Sequence, residues 1–389
     1  MKNLGNLGWS FLLVLFLIST LPGVAVAAAP QQLLEDHGIS YEGIWLHDWT
    51  RTQGGGLHPY ESAYRFWLDL HVEADLEMAL GWTGATFGAD LWHNNGNNGS
   101  IDAGVIQDIS AYESYRGTRI AEVWLEQLWD DQGVRVKVGK MDPTAEFAYV
   151  DYGWNYMNTA VSYPLNLIGV PVYPDPAFGG AAFFEFAGGA FAQFGVFDGA
   201  FWEDIPTGSR GPSTLFGAPS DLAWLVETGW ADDDGARLSV GAWHHTGLFD
   251  RYSGSVQRDA TGYYLTAEKP LWQAWSDDGT DQGIAGLFRA SFADEEVSAF
   301  DIHTVTGMVW TGPIPNRDED ELGLAYLRGE LSSATGAPFQ GEAEEVFEIY
   351  YRIVLSDTVA IQPSIQRVNN PGGMYEDLWV PGVRVELSF

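Results

Sequence analysis

The 389-residue chain has no cysteine, and its 19 Lys and Arg face 53 Asp and Glu, a formal net charge of −34. Without cysteine there is no disulfide framework. An exported form must therefore hold together by size or by closing its own hydrogen-bond ladder. With so few cations, nothing neutralises phosphate, which excludes nucleic acid as a partner. Past the N-terminal stretch, no segment reaches the roughly 18–20 consecutive apolar residues of a helical membrane span. The chain also lacks G-x-S-x-G, H-E-x-x-H, a phosphate-binding P-loop and the dinucleotide fingerprint, so no enzyme and no cofactor are expected. His244 and His245 are adjacent, would face opposite ways on a strand and so do not share a metal. Asp232–Gly235 and Asp277–Asp281 lack full calcium-loop spacing and read as turns. Among 53 acids chance carboxylate pairs are guaranteed, so no glycosidase pair is assigned. The acidity itself fits a saline habitat, loops bridged to anionic lipid by divalent cations, or solvated loops alone.

What is present points outward from the cell. Lys2, the apolar stretch Trp9 to Ile18 and Ala25-Val26-Ala27 form the three regions of a signal peptide, with cleavage expected after Ala27. The mature chain, 28–389, is then a single domain, with a short helix expected over Gln31 to Asp36. Hydrophobic residues make up 46% and aromatics 14%, including 17 Trp, the composition of a barrel with aromatic girdles at both membrane interfaces.

Alternation sets the fold class. From Tyr64 to Trp82, Tyr64, Phe66, Leu68, Leu70, Val72 and their successors share one phase; Arg65, Trp67, Asp69, His71 and Glu73 share the other. A helix scrambles such faces within two turns. The run exceeds the 9–11 residues that cross a bilayer, so it either extends beyond the membrane or hides a turn. Phe347 to Leu355 and Val359 to Ile365 repeat the pattern around a short turn at Ser356-Asp357, with a longer connection at Asn369–Gly373. Gly54–Gly56, Asn94–Gly99, Gly208–Pro219 and Asp277–Gln282 are further loop candidates. The final run, Pro381 to Phe389, places Val383, Val385, Leu387 and Phe389 on one face, with Arg384 and Glu386 on the other. The reading is all-β: a transmembrane antiparallel β-barrel. At roughly 20–24 residues per strand and connection it has about 16 strands, with a water-filled lumen rather than a packed core.

The ordered segments Leu34–Ile39, Gly54-Gly55, Asp75–Ala85 with Gly96-Asn97, Ala121–Gln127, Val138–Asp142, Gly241–Gly247, Gly307–Gly312 with Pro315, Arg317, Asp320 and Gly323, and Ile361–Gln366 with Asn370–Gly372 resemble the carbohydrate-selective porin family of the bacterial outer membrane, often called OprB-like. The resemblance spans essentially the whole mature chain. It implies passive diffusion of mono- or oligosaccharides past charged and aromatic residues at a constriction. It places the protein in the outer membrane beside lipid and lipopolysaccharide, delivered by the barrel assembly machinery through Phe389. It allows a homotrimer without requiring one. Forked donors and paired acceptors suit sugar hydroxyls, and aromatic faces suit pyranose rings.

Phase selects the pore-lining candidates: Arg65, Trp67, Asp69, Glu73, Glu122, Trp124, Glu126, Arg135, Lys137, Arg289 and Arg384. Arg119 falls on the lipid phase and must lie beyond the membrane or follow a bulge. Trp45, Trp49, Trp92, Trp310 and Trp379 are assigned to girdle or loops. The alternatives left open are a general or cation-favouring porin, an acidic structural or adhesive envelope barrel, and a barrel enzyme acting on lipid or glycan.

Overall fold

The computed structural model describes residues 34–389, apart from 114, 204, 216, 218 and 276–280. The expected signal peptide, 1–27, lies outside the described residues, as do parts of the expected loops 208–219 and 277–282 and the start of the expected N-terminal helix. From Leu34 onward one helical turn is present, closed by His37 N–H on Leu34 O and Gly38 N–H on Glu35 O, both at 2.9 Å.

The strands are β1 (Ile39–Arg51), β2 (Gln53–Gly54), β3 (Ser62–Asp75), β4 (Ala85–Gly96), β5 (Gly117–Trp129), β6 (Val134–Met141), β7 (Ala177–Glu185), β8 (Ala190–Asp198) and β9 (Leu222–Ala231). They continue through β10 (Arg237–Asp250), β11 (Val256–Trp275), β12 (Asp281–Phe292), β13 (Phe300–Thr311), β14 (Glu321–Leu331), β15 (Ala343–Ser356), β16 (Val359–Asn369) and β17 (Leu378–Ser388). Each long strand pairs antiparallel with its sequence neighbours, and β1 pairs with both β3 and β17. The two-residue β2 merely extends the seam to Leu378 and Trp379. The sheet is thus a closed barrel of 16 long strands. Closure satisfies every strand's backbone without an edge, the condition for spanning lipid.

The alternation sorts as expected. Tyr64, Phe347, Ile349 and Phe389 are exposed on the outer wall, while Arg65, Glu348 and Arg384 are buried inside. The long Tyr64–Trp82 run hides a turn. Asp75 caps a helical turn, α1 (Leu76–Leu80), by accepting Glu77 N–H at 2.8 Å and Met78 N–H at 3.1 Å. Gly81, at φ 74°, ends it in the left-handed conformation glycine tolerates. Local capping outcompetes the strand there, and the apolar period continues only by coincidence.

The connections differ at the two ends. At the end bearing Leu34 and Phe389 they are short, such as 130–133, 186–189 and 357–358. At the other end, residues 97–116, 142–176 and 199–221 are long. The first two fold into the barrel and carry α2 (Gly99–Ala103) and α3 (Thr159–Ser162). The lumen expected from strand number is narrowed by these loops: three apolar clusters form between them and the wall. Phe147, Leu167, Ile168 and Val170 pack on Phe183, Phe197, Leu225 and Trp243. Ile109, Tyr156, Ala160 and Val161 pack on Leu287, Val305, Val346 and Val368. Tyr112 packs on Leu46, Trp67 and Trp92. Strand count fixes the diameter of a barrel, but here inserted loops decide how much of it stays open.

Candidate functional site: the inner wall of the barrel

All eleven phase-selected residues point inward, and they divide into two environments. Along β3 to β6 the charges keep a flank in water. Arg135 Nη1 meets Glu126 at 2.7 Å, and Arg135 Nη2 meets Glu146 of the inserted loop at 2.7 Å. Lys137 Nζ lies 3.2 Å from the same Glu146. The Arg135 guanidinium sits 3.7 Å above the Phe183 ring, and Lys137 Nζ 4.0 Å above Trp124. On the neighbouring strands His71 Nδ1 is 2.6 Å from Asp90, and His71 Nε2 is 3.3 Å from Glu73. Trp124 stands between these two groups, its ring 6.5 Å from that of His71. Side-chain exposures of 43% for Glu73 and 29% for both His71 and Arg135 make this arc an accessible part of the inner wall. Asp69 is inward and half-buried beside it; Glu122 is buried and accepts Asp142 N–H at 3.1 Å.

The remaining candidates lie beneath the inserted loops. Arg65 is 2% exposed, ion-pairs with Glu113 and donates to Thr50 Oγ1 at 2.8 Å. Trp67 stacks on Tyr112 with ring centroids 4.9 Å apart. Arg384, 3% exposed, forms a two-pronged pair with Asp48 at 2.8 and 2.9 Å, and Ser110 Oγ donates to the same carboxylate at 2.6 Å. Arg289, 1% exposed, donates to Ser162 O at 3.1 Å and to Ala160 O at 2.5 Å. These side chains face the lumen by phase, but wall and loop groups rather than water meet them.

Arg119 follows a bulge. The β4–β5 register slips between Asp90↔Glu122 and Leu91↔Ile120, leaving Ala121 as the extra residue. Ile120 is accordingly exposed outside, and Arg119 is buried inside, donating to Pro174 O and Tyr115 O at 3.0 Å. Trp92 is a correction to the girdle assignment. It shares the inward phase of Asp90 and Asn94, is buried, and meets Trp67 edge-on at 5.9 Å. Trp45, Trp49, Trp310 and Trp379 keep the outward phase.

The pore-lining candidates omitted His71, Asp90 and Glu146. His71 and Asp90 alternate correctly with apolar neighbours, so their signal was present. Glu146 sits on the inserted loop, where no periodicity marks a direction.

A family description, "Carbohydrate-selective porin, OprB family", matches residues 61–389. The chain belongs to that family. Porin B of Pseudomonas aeruginosa is 22% identical over 374 residues, covering 82% of this chain and 80% of its own. A putative porin, QuiX, of Acinetobacter baylyi is 20% identical over 407 residues, covering 92% and 91%. The high-pH structure of Pseudomonas putida OprB superposes with a TM-score of 0.80 at 18% identity, covering 92% of this chain and 96% of that one. At that identity the likeness establishes the barrel architecture.

Proposed function

We propose that this porin lets small sugars diffuse passively across the outer membrane through a narrow throat bordered by the β3–β6 arc. The observation that carries this reading is the Arg135–Glu126–Glu146–Lys137 group beside Trp124: forked donors and acceptors next to aromatic faces, with one flank open to water. A sugar entering a constriction loses hydration and regains hydrogen bonds from such groups. The contacts stay weak because each charge already has a partner, which keeps solute moving rather than trapped. The filling of the lumen by residues 97–116 and 142–176 favours sugars of one or two rings over longer chains.

Asp69, Glu73, Asp90, Glu126 and Glu146 outnumber Arg135 and Lys137 around the throat. That imbalance favours cations over anions and supports, as a second reading, a cation-preferring general porin. Planar-bilayer conductance with sugars titrated in separates the two. Concentration-dependent block of the current by a saccharide supports the sugar channel. Strong cation selectivity with no block by any sugar removes it.

Orientation follows from the same reading. The short-turn end, with Leu34 and Phe389, faces the periplasm, and the long loops face outside. Phe389 closes the seam by exchanging backbone hydrogen bonds with Gly43 at 2.8 and 2.9 Å, while its ring lies exposed on the outer wall. An exposed terminal aromatic on the last strand fits its role as the assembly signal.

A further inference from the structure

The inserted segment 155–162 is held at two ends by wall residues that no solute can touch in this conformation. At its entry, Glu348 Oε1 accepts Met157 N–H at 2.7 Å and Oε2 accepts Asn158 N–H at 3.0 Å. At its exit, Arg289 donates to the carbonyls of Ala160 and Ser162, which sit in the last turn of α3. A helical turn leaves its first N–H and last C=O groups without internal partners. Asn158 caps its own turn by accepting Ala160 N–H at 3.0 Å, and the two wall residues hold what flanks it.

The chemistry of the two holders is unusual. Glu348 and Arg289 are 3% and 1% exposed, and neither takes part in an ion pair among the described residues. A buried charge without a counter-charge is costly unless hydrogen bonds occupy it. Here its compensation is loop backbone: an acceptor opposite N–H groups, and a donor opposite carbonyls. Just before the Glu348 contacts, Tyr156 Oη lies 2.8 Å from both Met308 O and Leu324 O, and Gln362 Nε2 donates to Asn155 O at 2.7 Å.

We propose that Glu348 and Arg289 are positioning residues that set the aperture of the throat by fixing α3 across the lumen, and thereby set the largest sugar that passes. Neither touches solute. Each acts through the backbone it holds, so each governs the size limit rather than the affinity for a sugar. The proposal rests on the diffusion-channel reading above.

The test uses the full-length porin in liposomes, with swelling rates for a monosaccharide and a disaccharide, and the variants E348Q and R289M. The chain has no cysteine, so A160C provides a reporter: Ala160 is fully buried and its thiol should resist a membrane-impermeant maleimide. Assembly of each variant is checked by heat-modifiable migration. E348Q preserves shape and one carbonyl oxygen, so it retains the barrel; if R289M does not assemble, the E348Q arm decides. The expected result is a disaccharide-to-monosaccharide rate ratio raised about fivefold or more, together with at least tenfold faster labelling of A160C. R289K, which keeps a donor for one carbonyl, should restore much of the wild-type ratio. A wild-type ratio in the assembled variants, or unchanged labelling, overturns the proposal. Absence of any sugar flux through the unmodified porin would instead overturn the diffusion reading itself.

Discussion

The inner wall carries two charged regions built from the same residue types and used oppositely. On β3–β6, Arg135, Lys137, Glu126 and Glu146 form a cluster with side chains 11–29% exposed. On β17, β1 and β3, the Arg384–Asp48 and Arg65–Glu113 pairs are 0–4% exposed. The first keeps a flank in water, the condition for the solute contact proposed above. The second anchors loops 97–116 and 142–176. The difference teaches that an inward charge in a barrel is not thereby a solute contact: burial by an inserted loop converts it into structure.

The comparison can be broken most sharply at the dry pair. R384M leaves Asp48 buried without its counter-charge, a loss of about 3–5 kcal/mol for breaking a buried pair. The expected outcome is a marked fall in the temperature of heat-modifiable unfolding. An unchanged temperature would mean that the loops, not the pair, carry that stability. The wet arc should behave in the opposite way. R135A with K137A should assemble normally, because partly exposed pairs contribute only about 0–1 kcal/mol each to stability. It should also weaken sugar block of the current about tenfold, the equivalent of about 1.4 kcal/mol. An unchanged binding constant takes these residues out of the throat.

W124A should have an intermediate effect. It removes the ring beneath Lys137 and beside His71, and a lowered affinity for sugar with little change in cation conductance is expected. Equal losses in both would make Trp124 a packing residue only.

The smallest effect belongs to the turn between β13 and β14. Burial raises the Asp320 carboxyl, but hydrogen bonds from Arg317 at 2.8 and 2.6 Å, Tyr351 Oη at 2.8 Å and Val354 N–H at 2.9 Å outweigh it and hold the group below its ordinary range. A depressed folded pKa contributes stability that is fully present above the ordinary carboxylate pKa of about 4 and is lost as pH falls through the folded value. D320N should therefore lower the unfolding temperature slightly at neutral pH and leave it unchanged in strong acid. A difference that persists in strong acid would show that the carboxylate charge is not what matters.

Much of this was readable from local pattern. The phase of β3, β15, β16 and β17 follows from a period of two, and the bulge at Ala121 was signalled by Arg119 falling out of phase. The α1 turn was hidden because Met78 and Leu80 continue the apolar alternation while Asp75 caps a helix. The dry clamps were not readable, since their partners are far apart in sequence. Glu348 holds Met157 across 191 residues, and Gln366 donates to Ile109 O across 257. No window of sequence contains both halves of such a contact.

The sequence by itself determined which face of the wall each strand residue occupies, because alternation is enforced residue by residue by the pleat. Tertiary structure alone decided which inward residues meet water. That choice belongs to two long loops whose backbone N–H and C=O groups, unable to pair within the loops, found Glu348, Glu344 and Arg289 on the opposite wall.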